Sequence, residues 1–171
     1  MKTQLLEFIT HLTDDIYDVL RGRYPEFVIA SFADQVRIAN KIQSLTMLVP
    51  YEQQLVETFW LAKSDGTTET MADWAERVTT LDGHYQNARA ALSSLHEQGV
   101  EAITATPVEG MDALLDALHA RASEAVPTFT QDENIAATIN ASIGSWYENS
   151  KSVLAWEVGK IEAEQLAAQN G

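Results

Sequence analysis

Met71, Trp74, Val78, Leu81, Tyr85, Ala88, Leu92 and Leu95 follow one another at intervals of three and four residues in strict alternation. That spacing is the a/d seam of a heptad repeat, and it puts all eight side chains on one stripe of an α-helix. The seam passes straight through Leu81-Asp82-Gly83-His84, a stretch that on its own reads as a turn. A turn there would give Tyr85 to Leu95 no reason to keep the phase of Met71 to Leu81. In the heptad register Asp82 falls at e, Gly83 at the outward f position and His84 at g. A glycine inside a helix costs about 1 kcal/mol relative to alanine. Each large seam residue contributes roughly 1.5–3 kcal/mol when buried. The spacing therefore predicts one helix over residues 70–98, opened by a Thr70/Asp73 capping pair and stopped at Gly99.

The rest of the chain reads in the same way. Leu5, Phe8, Ile9, Leu12, Ile16, Val19 and Leu20 predict a helix over 3–21 that stops at Gly22. After the connection "RGRYPEF", a second helix is expected over 26–48. It has Val28, Phe32, Val36, Ala39 and Ile42 on a broad face, with Ile29, Ile38, Met47 and Leu48 spread round it, and Val49-Pro50 closes it. A third helix over 51–63 pairs Leu55 with Phe59 and Val56 with Trp60, and "KSDGTT" then makes a turn. Thr106-Pro107-Val108-Glu109 predicts a capped helix start, and that helix is expected to end before Pro127. Thr130 with Glu133 repeats the capping box and opens a long last helix over 131–168, with Gly144 and Gly159 as places where it can bend. No strand pattern, repeat or low-complexity segment competes. The expected fold is all-α, a single helical domain over 1–171 built as a bundle of about six helices, two of them long.

Composition narrows the function. With 11 Lys and Arg against 25 Asp and Glu, the formal charge is −14. Binding to nucleic acid, which needs clustered cations against phosphate, is not expected, nor is attraction to an anionic membrane surface. No run approaches the roughly 20 apolar residues that span a bilayer. The chain has no cysteine, which removes thiolate catalysis, disulfides and Cys-bound metals and fits a reducing cytoplasm.

Four histidines invite a search for chemistry. Glu7, His11, Asp14 and Asp18 share one face of the first helix; Glu109, Asp112, Asp116 and His119 share one face of the fifth. Both faces lie away from the apolar stripes, whereas metal ligands in helical bundles project inward. Glu-x-x-His is absent, and Asp116-x-x-His119 is the single Asp-x-x-His. No phosphate-binding glycine loop, nucleophile elbow or His-Glu-x-x-His occurs. Neither metal nor cofactor is expected. Four residues remain as candidates for partner contact or for a buried acid. His84 and His96 flank the seam at g and e. Trp156 lies off its stripe, and exposed tryptophan is enriched at protein interfaces. Glu157 falls near the centre of the last helix's stripe, where a carboxylate needs a partner or a raised pKa. The reading that follows is a non-catalytic, acidic helical subunit of the cytoplasm. It associates with itself or with a protein partner through helix packing. A ferritin-like metal-dependent or ligand-binding enzyme is the alternative.

Overall fold

The computed structural model describes residues 1–22, 26–62 and 66–170. Among them are six helices: α1 (Lys2–Arg21), α2 (Glu26–Gln43), α3 (Pro50–Leu55, continuing into a π turn, Val56–Trp60), α4 (Met71–Ala105), α5 (Val108–Phe129) and α6 (Glu133–Asn170). The fold is an all-α helical bundle. The connection around 23–25, the middle of the turn at 63–65 and the side chains of Val28 and Ile29 lie outside the described residues. No described helix is long and apolar enough to cross a membrane.

The helices gather into two compact units. The first holds α1, α4 from Asn87 onward, α5 and α6. Successive helices in it run antiparallel. Lys2 Nζ donates to the Thr104 carbonyl at 2.8 Å, and Thr10 Oγ1 sits 3.3 Å from His96 Nε2, which sets α1 against α4. Arg121 reaches back to Gln98 and Ser94, setting α5 against α4. Between these helices Leu5, Ile9, Ile16, Leu95, Ile103, Met111, Leu115, Ile139 and Ile143 are buried in one core. The second unit holds α2, α3 and α4 up to Gln86, and its core is Ile38, Ala39, Val56, Trp74, Ala75 and Val78.

The helix through Asp82-Gly83 is continuous, and a Cβ at Gly83 would meet nothing within 4 Å. Thr70 opens it as expected, its Oγ1 accepting from the Asp73 amide at 3.2 Å and donating to Asp73 Oδ2 at 2.6 Å. The seam, however, is shared. Trp74 and Val78 enter one core and Ala88, Leu92 and Leu95 the other, while Tyr85 between them is 41% exposed, its ring edge against Phe32. Gly99 is not the stop. The helix continues to Ala105, and a Cβ at Gly99 would lie 3.0 Å from Ile9 Cγ1. Glycine is needed there so that α1 can approach closely.

Other ends move for equally local reasons. Thr106 is still tied to α4 through its amide and the Ala102 carbonyl, so α5 begins at Val108 with Pro107 at the cap, and the Thr106/Glu109 box is not made. Pro127 does not end α5. It sits in the last turn, and the burial of Val126 and Phe129 holds that turn in place. Asp132, not Thr130, caps α6, accepting from the amides of Asn134 at 3.0 Å and Ile135 at 3.2 Å. α2 ends at Gln43, short of Val49-Pro50. The Leu45 amide bonds to the Ile42 carbonyl (3.1 Å) and the Thr46 amide to the Lys41 carbonyl (2.8 Å), which is the Schellman arrangement. The left-handed position of that motif is filled by Leu45, at φ +55°.

Candidate functional site

The second unit concentrates its unusual features between the end of α2 and the start of α4. Pro50 and Glu52 occupy the first and third positions of α3, and Glu52 Oε2 accepts from the Val49 amide at 3.1 Å. This is half of a capping box; valine at the cap has no acceptor to return the bond. The Glu52 side chain is 4% exposed and is satisfied by Lys41, at 2.7 and 2.8 Å, and by Arg37. The hydrogen bonds from Lys41, then Arg37, then the Val49 amide hold its carboxyl down at about 2. A second buried acid, Glu69, precedes α4. Arg77 embraces it through Nε, at 3.2 Å to each oxygen, and through Nη2. These two clamps pin the segment between α2 and α4.

Between the clamps α3 widens. Leu61 donates to the carbonyl of Val56, five residues back, so the helix takes one π turn. The regular α-helix expected over 51–63, pairing Leu55 with Phe59 and Val56 with Trp60, is interrupted there by the π turn. Trp60 stacks flat on Trp74, with centroids 5.3 Å apart and planes 2° from parallel, while Phe59 turns outward. Tyr51, Phe59, Trp60 and Trp74, with Asp34 and Arg77, line an open cleft of about 470 Å³. π turns in α-helices occur frequently at functional sites.

Between residues 45 and 59 the chain exposes several apolar side chains. Leu45 is 94% exposed, Met47 88%, Val49 52%, Tyr51 68% and Phe59 68%. Leu45 combines near-complete exposure with a left-handed backbone, which costs a residue with a Cβ roughly 1–2 kcal/mol. Sequence reasoning assigned Met47 and Leu48 to the second helix and singled out neither Leu45 nor Glu52. The available signal was Pro-x-Glu after a run of apolar residues, which marks a helix start and so a loop before it.

The residues singled out from sequence do not converge. His84 is exposed on α4. His96 is half-buried against α1 through Thr10. Trp156 and Glu157 lie on α6. The indole is 66% exposed with Lys160 Nζ 5.9 Å from the ring centroid, and the carboxylate is half-buried. The acidic face of α5 makes one polar network with α6. Tyr147 donates to Asp116 at 2.6 Å, and Lys151 pairs with Asp112 and Asp116, both at 2.6 Å. Hydrogen bonds from Lys151 and then Tyr147 hold the Asp116 carboxyl below its ordinary value. Burial pulls the Lys151 ammonium down, but its bonds to Asp112, Asp116 and Tyr147 outweigh that and leave it raised. His119 lies against the Tyr147 ring, with centroids 4.4 Å apart. Among the described residues no group of three or more His, Asp or Glu side chains is placed to hold a metal ion.

The chain matches no known protein family, no curated protein and no solved structure.

Proposed function

We propose that this protein is a non-catalytic helical interaction or assembly subunit, and that its partner docks on the 45–59 face of the second unit. One observation carries the reading: Leu45 is held at φ +55° with its side chain 94% exposed, at the head of a run of exposed apolar residues. A backbone outlier is retained where surrounding structure or function demands it. The Schellman turn that ends α2 accounts for the left-handed backbone at 45, but that turn favours glycine, and nothing it does calls for an exposed leucine. Clustered exposed apolar side chains mark protein-interaction surfaces, and aromatic residues such as Tyr51 and Phe59 are enriched at them. The lack of cysteine suits a reducing compartment, so the proposed place of action is the cytoplasm.

The experiment is native mass spectrometry of the full chain, alone and after recovery from its own cells, beside a Leu45→Asn/Met47→Ser variant. Asparagine tolerates the left-handed backbone, so the loop is kept while its apolar surface is removed. The wild-type chain should carry a partner or a second copy, and the variant should lose it at unchanged helix content. A wild-type chain that is monomeric and bare, or a variant that keeps the same assembly, overturns the reading.

A further inference from the structure

The first unit carries a second surface, independent of the 45–59 face. The contacts Tyr147–Asp116 and Lys151–Asp112 step along α5 and α6 in antiparallel register, four residues at a time. One further step sets Ala155 beside Val108, the first residue of α5. α6 nevertheless continues to Asn170. The stretch from 156 to 170 therefore runs roughly 22 Å past the start of α5, at 1.5 Å per residue. Its apolar stripe does not stop at that point. Val158 and Ile161 extend the line of Leu154, and both are only half-buried; residues 162–169 are all exposed.

Where α5 begins, this stripe becomes the floor of an open groove of about 620 Å³, formed by Val108, Leu154, Val158 and Ile161. Its rim is acidic: Glu109, Asp112 and Glu162. The cation on the rim, Lys151, is engaged by Asp112 and Asp116. Farther out, Lys160 lies 3.9 Å from Glu164. We infer that the groove receives a basic amphipathic helix of a partner protein, laid along α6 where a longer α5 would have continued. An apolar floor between helices is the form of a helix-in-groove site. Charge selects the occupant: the same acidic rim on a second copy's groove would be repelled here, and a helix with Lys and Arg flanking its apolar stripe is attracted.

The test uses the full chain and a fluorescent peptide of about 18 residues, five turns of helix, made of Leu and Lys in amphipathic order. Anisotropy should show binding that weakens as salt rises, since exposed pairs are screened over about 10 Å at 0.1 M. The same pattern built from Leu and Glu should not bind. Ile161→Asp should weaken binding by about tenfold, the effect of losing one interface anchor. Glu162→Lys, at an exposed position, should weaken it less and flatten the salt dependence. The inference fails if the basic peptide does not bind, or if it binds Ile161→Asp as tightly as wild type, since the attraction would then be non-specific. It also fails if sedimentation shows a dimer that Ile161→Asp dissolves, because the groove would then hold a second copy. None of these outcomes depends on Leu45 or Met47, so this result and that for the 45–59 face are separable.

Discussion

Replacing Gly99 with alanine adds one methyl group at the closest approach of α1 and α4. In a helix the change would by itself stabilise by about 1 kcal/mol, because glycine gives up more backbone freedom than alanine on folding. At this site the new Cβ would sit 3.0 Å from Ile9 Cγ1. Carbon atoms pack best at about 3.5–4.0 Å, so one of the two helices must shift by several tenths of an ångström. Ile9 has no freedom to give way: it is fully buried, in the same core as Leu5, Leu95 and Ile143. Overpacking of this kind costs roughly 1–3 kcal/mol. The net expectation is a loss of about 1 kcal/mol, or a melting temperature lower by roughly 2–4 °C for a chain of this size. Gly83→Ala is the internal control. It lies in the same helix with nothing within 4 Å, and it should gain roughly 0.5–1 kcal/mol. Urea and thermal unfolding followed by far-UV circular dichroism would measure both. A double-mutant cycle adds a sharper criterion: with Ile9→Ala in the background, Gly99→Ala should lose its penalty. If Gly99→Ala is as stable as wild type, or if its cost survives Ile9→Ala, the close-approach argument is refuted.

Leu45→Gly should stabilise the protein by about 1 kcal/mol in urea titration, because it relieves a left-handed Cβ while removing a side chain that is almost wholly in water. A loss would mean that the exposed leucine packs usefully within the chain. Ser150→Ala should also stabilise, by roughly 1 kcal/mol: the Ser150 hydroxyl is fully buried in the first core without a hydrogen-bond partner, and removing an unsatisfied polar group recovers its desolvation cost. Glu52 sets a pH dependence. Its carboxyl is held near 2 in the folded chain against an ordinary 4.5, so its contribution is complete above about pH 4.5 and is lost as pH falls toward 2. Glu52→Gln should therefore flatten the stability profile between pH 4.5 and 2, read from thermal melts, and an unchanged profile would mean that the clamp does not hold in solution.

The periodic part of this protein is legible from residue spacing alone. The phase of Met71 to Leu95 was enough to identify one helix through Asp82-Gly83, because a local turn preference cannot compete with the burial of a row of large side chains. The long last helix and the all-α class were legible for the same reason: helical spacing repeats at every turn and needs no knowledge of neighbours. Tertiary structure decided what each residue is near. Glycine often ends helices, so spacing alone makes Gly99 a stop, and only the approach of α1 shows that its missing Cβ makes room for Ile9. Pro127 by itself predicts a terminus, and only the burial of Val126 and Phe129 keeps the last turn intact around it. The ion pairs of the two clamped acids, Glu52 and Glu69, have no signature in the chain; their cations lie on other turns or other helices, and pairing across space leaves no period. Leu45 is the plainest case. Its left-handed backbone follows from where α2 must end so that the chain can enter α3, and a leucine in the sequence gives no hint that it will be turned outward into water.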